Sequence, residues 1–287
     1  MKNIFTLALA TVLFISCQDK TKKEEVTEIT QEVKTEKIIS LNGAVTEILA
    51  ALGESSNIVG VDVTSTYPED IKTKAKDLGH VRSLSLESII ALQPTLIFAS
   101  DKDLNDDLKA KITASGIQLE LVKQEYSEKG TEQMIEQVAK KLGKTDYKHL
   151  SEKIKSDLAQ LKPIEPKPTV LFIYARGAGT LMVAGTDTPV EKMIALAGGQ
   201  NAVTEFSDYK PLTPESLIKG NPDVILLFTT GLQSLNGVDG LLKVDGISAT
   251  KAGKNKRIIA MDGELLSGFG PRLGQAAIEL NQLLTNK

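Results

Sequence analysis

His80 and Arg82 stand two residues apart in Gly79-His80-Val81-Arg82, so in an extended stretch their side chains fall on the same side of the chain. An imidazole can bind a metal or exchange a proton near neutral pH, and a neighbouring guanidinium can pair with a carboxylate. Taken alone, a single loop histidine is usually a solvated side chain. The other histidine, His149, lies in Tyr147-Lys148-His149-Leu150-Ser151 and reads as a surface residue. Two distant histidines do not make the clustered donor set that a zinc or manganese site needs. The sequence has no Gly-X-Ser-X-Gly elbow, no His-Glu-X-X-His pair and no Gly-X-X-X-X-Gly-Lys phosphate loop, so it carries none of the usual hydrolase or nucleotide-binding signatures.

Two glutamates form a second pattern. Leu84-Ser-Leu-Glu87-Ser-Ile-Ile-Ala-Leu-Gln-Pro94-Thr-Leu-Ile97 returns later as Leu212-Thr-Pro-Glu215-Ser-Leu-Ile-Lys-Gly-Asn-Pro222-Asp-Val-Ile225. In each copy Ser85 or Thr213 can cap a helix, the glutamate sits in its first turn, and the proline ends it before an apolar strand. A first-turn Glu gains about 0.3–1 kcal/mol from the helix dipole, which is reason enough for both.

The elements that must position these groups follow from that echo. Short apolar runs at Ile38–Leu41, Ile58–Val61, Leu96–Ala99 and Leu119–Val122 alternate with helical segments, which predicts a parallel sheet. Val170–Tyr174, Leu181–Ala184, Val224–Phe228 and Ile258–Met261 repeat the pattern. Between them, Met134, Val138, Leu142, Leu150, Ile154, Leu158 and Leu161 recur at helical spacing, broken by Gly143 and stopped at Pro163, Pro166 and Pro168. The expected fold is therefore α/β: two related lobes, residues 37–129 and 168–287, joined by a helical connector within 130–167, with a ligand cleft between the lobes.

The start of the chain reads as an address. Met1 to Ser16 gives a positive n-region and an apolar h-region too short for a spanning helix, which needs roughly 20 apolar residues. It ends at Cys17, the only cysteine. Phe14-Ile15-Ser16-Cys17 resembles the lipobox of bacterial lipoproteins, which implies a signal peptide over 1–17, lipidation of Cys17 and an exported, envelope-anchored protein. Residues 18–36 are charged and Thr-rich, without the apolar density for a core, and read as a tether. Net charge is −3, and the basic residues are dispersed apart from a short lysine patch near the start. A nucleic-acid partner is not expected.

From residue 37 onward the chain resembles the periplasmic solute-binding proteins that feed ABC importers of iron chelates, corrinoids and haem. It is most similar to the haemin-binding branch in Gly43-Ala-Val-Thr-Glu47, Asp62-Val-Thr-Ser-Thr-Tyr67-Pro68, Gly79-His80-Val81-Arg82, Tyr209-Lys-Pro-Leu-Thr-Pro-Glu215, Gly237-Val-Asp-Gly-Leu-Leu242 and Phe269-Gly-Pro-Arg272. The resemblance implies two Rossmann-like lobes bridged by a long connector helix with the ligand across the cleft, and haem as transported ligand with no catalytic cofactor. Its partners are then an ABC permease with its ATPase and, through the anchor, a membrane; a monomer is expected. His80 becomes the axial iron donor, standing where many relatives have Tyr. Tyr209 becomes a second ligand or stacking group, and Met182 a further sulfur donor. Arg82, Tyr67, Arg176 and Arg272 become ligand-binding residues, the arginines as propionate partners, and Glu87 and Glu215 the permease-docking acids. A corrinoid or ferric-siderophore receptor is the alternative within the class. Absence of Trp and scarcity of aromatics speak against the siderophore, and a tetrapyrrole or metal enzyme on the same scaffold is the alternative outside it.

Overall fold

A computed structural model describes residues 36–179 and 181–286; the expected signal peptide, Cys17 and most of the tether lie outside the described residues. The N-terminal lobe runs β1 (Ile38–Leu41), α1 (Gly43–Ala51), β2 (Ile58–Val61), α2 (Ile71–Lys74), β3 (Lys76–Asp77), α3 (Leu86–Ile90), β4 (Leu96–Ser100), α4 (Asp106–Ala114) and β5 (Gln118–Val122). Among the described residues its strands form one parallel sheet in the order β3-β2-β1-β4-β5. β1 and β4 are buried on both faces, as expected of central strands covered by helices on each side.

The connector is helical, but it is built as two helices, α5 (Glu128–Lys141) and α6 (Lys148–Leu158). Leu142 closes α5, and Gly143 follows at φ +66°, a left-handed conformation that glycine adopts without a β-carbon clash. The break redirects the chain. α5 packs on α1 and β5 of the first lobe, whereas α6 packs along the C-terminal helix of the second.

The C-terminal lobe runs β6 (Thr169–Ala175), β7 (Leu181–Ala184), α7 (Pro189–Leu196), β8 (Gln200–Asn201), β9 (Tyr209–Pro211), α8 (Pro214–Gly220), β10 (Val224–Phe228), α9 (Thr229–Ser234), α10 (Gly237–Leu241), α11 (Lys251–Lys254), β11 (Ile258–Met261), α12 (Gly263–Ser267) and α13 (Leu273–Thr285). Its sheet has the order β11-β10-β6-β7-β9, with β8 added on β6. β11, β10, β6 and β8 are parallel, but β7 runs antiparallel to both β6 and β9. The physical reason is the connection from β6 to β7, which is too short to hold the crossover that a parallel neighbour requires.

The repeated segments become equivalent helices. In α3 the Ser85 hydroxyl accepts the Ser88 N–H; in α8 Thr213 accepts the Ser216 N–H in a capping box. Each is anchored by one fully buried side chain, Ile89 or Leu217, and each leaves its glutamate, Glu87 or Glu215, exposed. One apolar core crosses the whole folded unit, from Val45, Ile48 and Phe98 in the first lobe through Met134 and Ile154 in the connector to Phe172, Ile194 and Leu280 in the second. The lobes are thus continuous along their base, and the polar groups gather where the strands end.

Candidate functional site

The carboxyl-terminal ends of β1, β2, β4 and β5 and the turn before α3 point toward the second lobe. They contribute Asn42, Asp62, Thr64, Asp103, Gln124, Tyr126, His80 and Arg82 to a cavity of about 250 Å³, closed from the other lobe by Glu264, Ser267 and Gly268 and by Pro189. This is where open α/β sheets collect ligand-binding side chains, just beyond the strand ends.

His80 is exposed and stands at the head of the turn Val81–Ser83, where its Nδ1 accepts the Arg82 backbone N–H at 3.3 Å. In that geometry a neutral ring carries its proton on Nε2. For Nε2 to bind a metal the proton must move to Nδ1, so coordination breaks this weak cap and lets the ring turn. Among the described residues no three His, Cys, Asp or Glu side chains are grouped to hold a bare metal ion. The coordination His80 can supply is a single axial bond to a metal that brings its other ligands with it. Arg82 is also exposed on this rim.

Asp62 is buried and locally satisfied. It accepts the Thr64 N–H at 3.2 Å and hydroxyl at 2.7 Å, and the Ser65 hydroxyl at 2.8 Å. Asn42 caps α1 through its carboxamide oxygen and donates to Gln124 at 3.1 Å. Glu264, in the first turn of α12, has a carboxyl held well above the usual range, first by burial and then by the charges of Glu47, Asp62 and Asp262.

Beside the cavity, the second lobe presents an aromatic shelf. Register puts Phe172 and Tyr174 of β6, Tyr209 of β9 and Phe228 of β10 on one face of the sheet, together with Met182 opposite Tyr174. The rings pack edge-to-face: Phe172 on Phe228 at 4.8 Å, Tyr174 on Phe228 at 6.1 Å, and Tyr209 on both Tyr174 and Phe172 at 6.5 Å. Such pairs prefer tilted geometry; Phe172 is fully buried beneath them, and Tyr174, Tyr209 and Phe228, each half-buried, form the accessible apolar surface. Burial drives the Tyr209 phenol upward, and the nearby Tyr126 adds to the effect. Tyr209 packs into the shelf with its ring half-buried. Arg176, exposed at the end of the shelf, lies over the Tyr174 ring at 5.6 Å.

Two of the expected ligand-binding residues are placed elsewhere. Arg272 forms a two-bonded ion pair with the buried Glu47 of α1, and its guanidinium lies 3.9 Å from the centre of the Tyr67 ring. Arg272 and Tyr67 share a different groove with His149, Leu150 and Lys153. The reason is that Phe269-Gly-Pro-Arg272 is a strap between the lobes. The Gln124 amide donates to the Gly268 carbonyl at 2.7 Å, the Thr131 hydroxyl to the Phe269 carbonyl at 2.9 Å, and Phe269 packs edge-on against Tyr126 at 5.5 Å. His149 is exposed and pairs with Asp146.

The structure thus brings His80 and Arg82 together with Tyr126 and Glu264 in one cavity, sets Tyr209, Met182 and Arg176 on the neighbouring shelf, and commits Tyr67 and Arg272 to the strap. Tyr126, Glu264, Asp103 and Gln124 are cavity residues that motif reading missed. Each follows the end of a strand, and that position was the available signal.

Residues 38–265 match the family model described as periplasmic binding protein. The chain is 29% identical over 268 residues to an uncharacterized ABC transporter substrate-binding lipoprotein, YvrC, of Bacillus subtilis (strain 168), covering 88% of this chain and 81% of that one. It is 26% identical to a vitamin B12-binding protein of Yersinia pestis (strain Pestoides F), over 88% and 87% of the two chains. Among solved structures it is similar to the periplasmic heme-binding protein RhuT from Roseiflexus sp. RS-1, with TM-score 0.84 and 40% identity over 87% of this chain and 98% of that one. It is also similar to the periplasmic heme-binding protein HutB of Vibrio cholerae, with TM-score 0.79 and 32% identity over 88% and 100%.

Proposed function

The chain belongs to the periplasmic binding protein family, and from that premise we propose that it is the substrate-binding component of an ABC importer whose inter-lobe cleft takes up haem. The observation that carries the reading is the pairing of one axial donor, His80, with an aromatic shelf and two exposed arginines, Arg82 in the cavity and Arg176 at the end of the shelf. Haem asks for those three things: a donor to iron, apolar contact for the macrocycle and cations for the propionates. Similarity to two periplasmic heme-binding proteins supports the same ligand. Haem here is cargo, and the residues described hold it without transforming it.

The test is a titration. Purified protein mixed with haemin should develop a Soret band at one fixed stoichiometry, while cyanocobalamin and a ferric siderophore should leave its absorption unperturbed. A saturable corrinoid complex with no haemin complex would replace this reading. That alternative draws on the polar floor of Asn42, Asp62, Thr64 and Gln124, which suits an amide-fringed ring, and on similarity to vitamin B12-binding proteins.

Glu87 and Glu215 occupy matching exposed positions, one per lobe, and are the acids through which the protein docks on its permease. Reversing both, Glu87→Arg with Glu215→Arg, should leave haemin affinity within about twofold, since both lie outside the cleft. Uptake should fall at least about tenfold through lost charge complementarity. Unimpaired uptake by the double variant would remove this docking role. The protein is exported, and Cys17 is its lipid anchor; Cys17→Ser should release it from the membrane fraction.

A further inference from the structure

Ile90 and Ile218 are large apolar side chains left in solvent, 45% and 66% exposed. A single exposed isoleucine is ordinary on a protein surface. These two are set apart by their position. They hold the same place in the repeated segment, three residues after Glu87 in α3 and three residues after Glu215 in α8. Among the described residues five large apolar side chains are exposed, and the other three, Val63, Tyr67 and Leu121, lie outside both copies.

The two copies match in shape as well as in sequence. In each, the capping residue and the glutamate are exposed, the next serine is half-buried, Ile89 or Leu217 is fully buried, and the isoleucine after it is exposed. Each segment then passes through a left-handed residue before its proline, Gln93 at φ +51° and Asn221 at φ +31°. Residues three apart on a helix are neighbours on its surface, so each lobe presents a carboxylate beside an apolar side chain. Folding accounts for Ile89 and Leu217, which anchor the helices. It does not ask for isoleucine at 90 and 218, where lysine or glutamine would favour the helix more and leave no apolar surface in water.

Resting on the docking role given above to Glu87 and Glu215, we propose that Ile90 and Ile218 are the apolar half of the same interface, and that the permease meets each lobe with a basic group beside an apolar recess. An exposed ion pair is screened and contributes steering and register more than affinity. An isoleucine seated in a recess leaves water and adds attraction that salt does not screen. The two halves of the patch therefore respond differently to ionic strength.

The test measures binding of the receptor to its permease and ATPase in lipid nanodiscs at low and high salt, beside haemin titration and uptake by cells carrying the importer. Ile90→Gln with Ile218→Gln should weaken permease binding about tenfold or more and lower uptake with it. Haemin affinity should stay within about twofold, since neither residue lines the cavity, and the wild-type salt dependence should persist. Ile90→Val with Ile218→Val keeps both side chains apolar and should keep most of the binding. Glu87→Gln with Glu215→Gln should flatten the salt dependence.

Wild-type permease binding by the isoleucine-to-glutamine variant, alongside a loss in the glutamate variant, would overturn the assignment and leave the docking role of the acids standing. No loss in either variant would overturn that docking role, and this assignment with it. Self-association of the wild type that the isoleucine-to-glutamine variant abolishes with uptake unimpaired would overturn the assignment in favour of a second copy of this chain.

Discussion

His80→Ala should lower haemin affinity about 100-fold or more and remove the axial-ligand signature from the Soret spectrum, because no second imidazole lines the cavity. His80→Tyr should restore binding with a phenolate-type spectrum selective for ferric iron, since the hydroxyl is a harder donor. Folding should be nearly untouched. His80 is exposed, and among the described residues its side chain makes one hydrogen bond, a weak cap at 3.3 Å, so the alanine variant should unfold within about 0.5 kcal/mol of the wild type. An alanine variant with the wild-type spectrum and affinity would assign the iron to another donor. The cap adds a kinetic expectation: coordination requires the imidazole to give up the Arg82 N–H and exchange its proton, so a fast encounter should precede a slower ligation step in stopped-flow traces.

Arg272→Ala should destabilise the protein by about 3 kcal/mol near neutral pH, because it removes the cation that offsets burial of the Glu47 carboxyl in the seam between the lobes. The pH dependence gives the cause away. Burial raises the Glu47 carboxyl above its ordinary range, and Arg272 is what opposes that rise. A carboxylate with a raised folded-state pKa costs nothing below its unfolded pKa, and destabilises the native state as pH climbs through the folded value. The deficit of Arg272→Ala should therefore shrink in mild acid and grow toward neutrality, read from urea midpoints at several pH values. Replacing both partners by leucine should be much milder than the single change, since nothing charged is left behind. A deficit independent of pH would mean that the loss is packing over Tyr67.

Much of the scaffold was legible because its signals are local. Apolar β-branched runs bounded by turns gave β1, β2, β7, β10 and β11 their observed spans, and the Ser85 and Thr213 caps are where side-chain chemistry puts them. Strand direction was not legible at β7, because alternation fixes that a segment is a strand while the length of the preceding loop decides how it pairs. The connector shows the opposite failure. Apolar residues keep their helical spacing on both sides of Gly143, and that spacing cannot register a change of axis.

The site was legible where a motif carried it and opaque where assembly did. His80 and Arg82 share one short stretch and line one cavity, but that stretch is a tight turn over Val81–Ser83 and not the extended segment that the spacing argument assumed. Arg272 and Tyr67 each look like ligand-binding groups in isolation. Only the fold reveals that Glu47, 225 residues away from Arg272 in sequence, needs a counter-charge more than a ligand does. Glu264 carried no signal beyond its place after β11, because its carboxyl lies against Gly43 at the start of α1 in the first lobe.

The strap has a consequence for how the importer reads its receptor. Two carbonyls held by Gln124 and Thr131 and a guanidinium held by Glu47 rivet the halves together beneath the cleft. A frame fastened at three points should change its outline little on filling, so the spacing of Glu87 and Glu215 should report occupancy poorly. On the docking role proposed for the two acids, vacant copies then become competitors for the same seat, and transport should decline when the receptor outnumbers its haem.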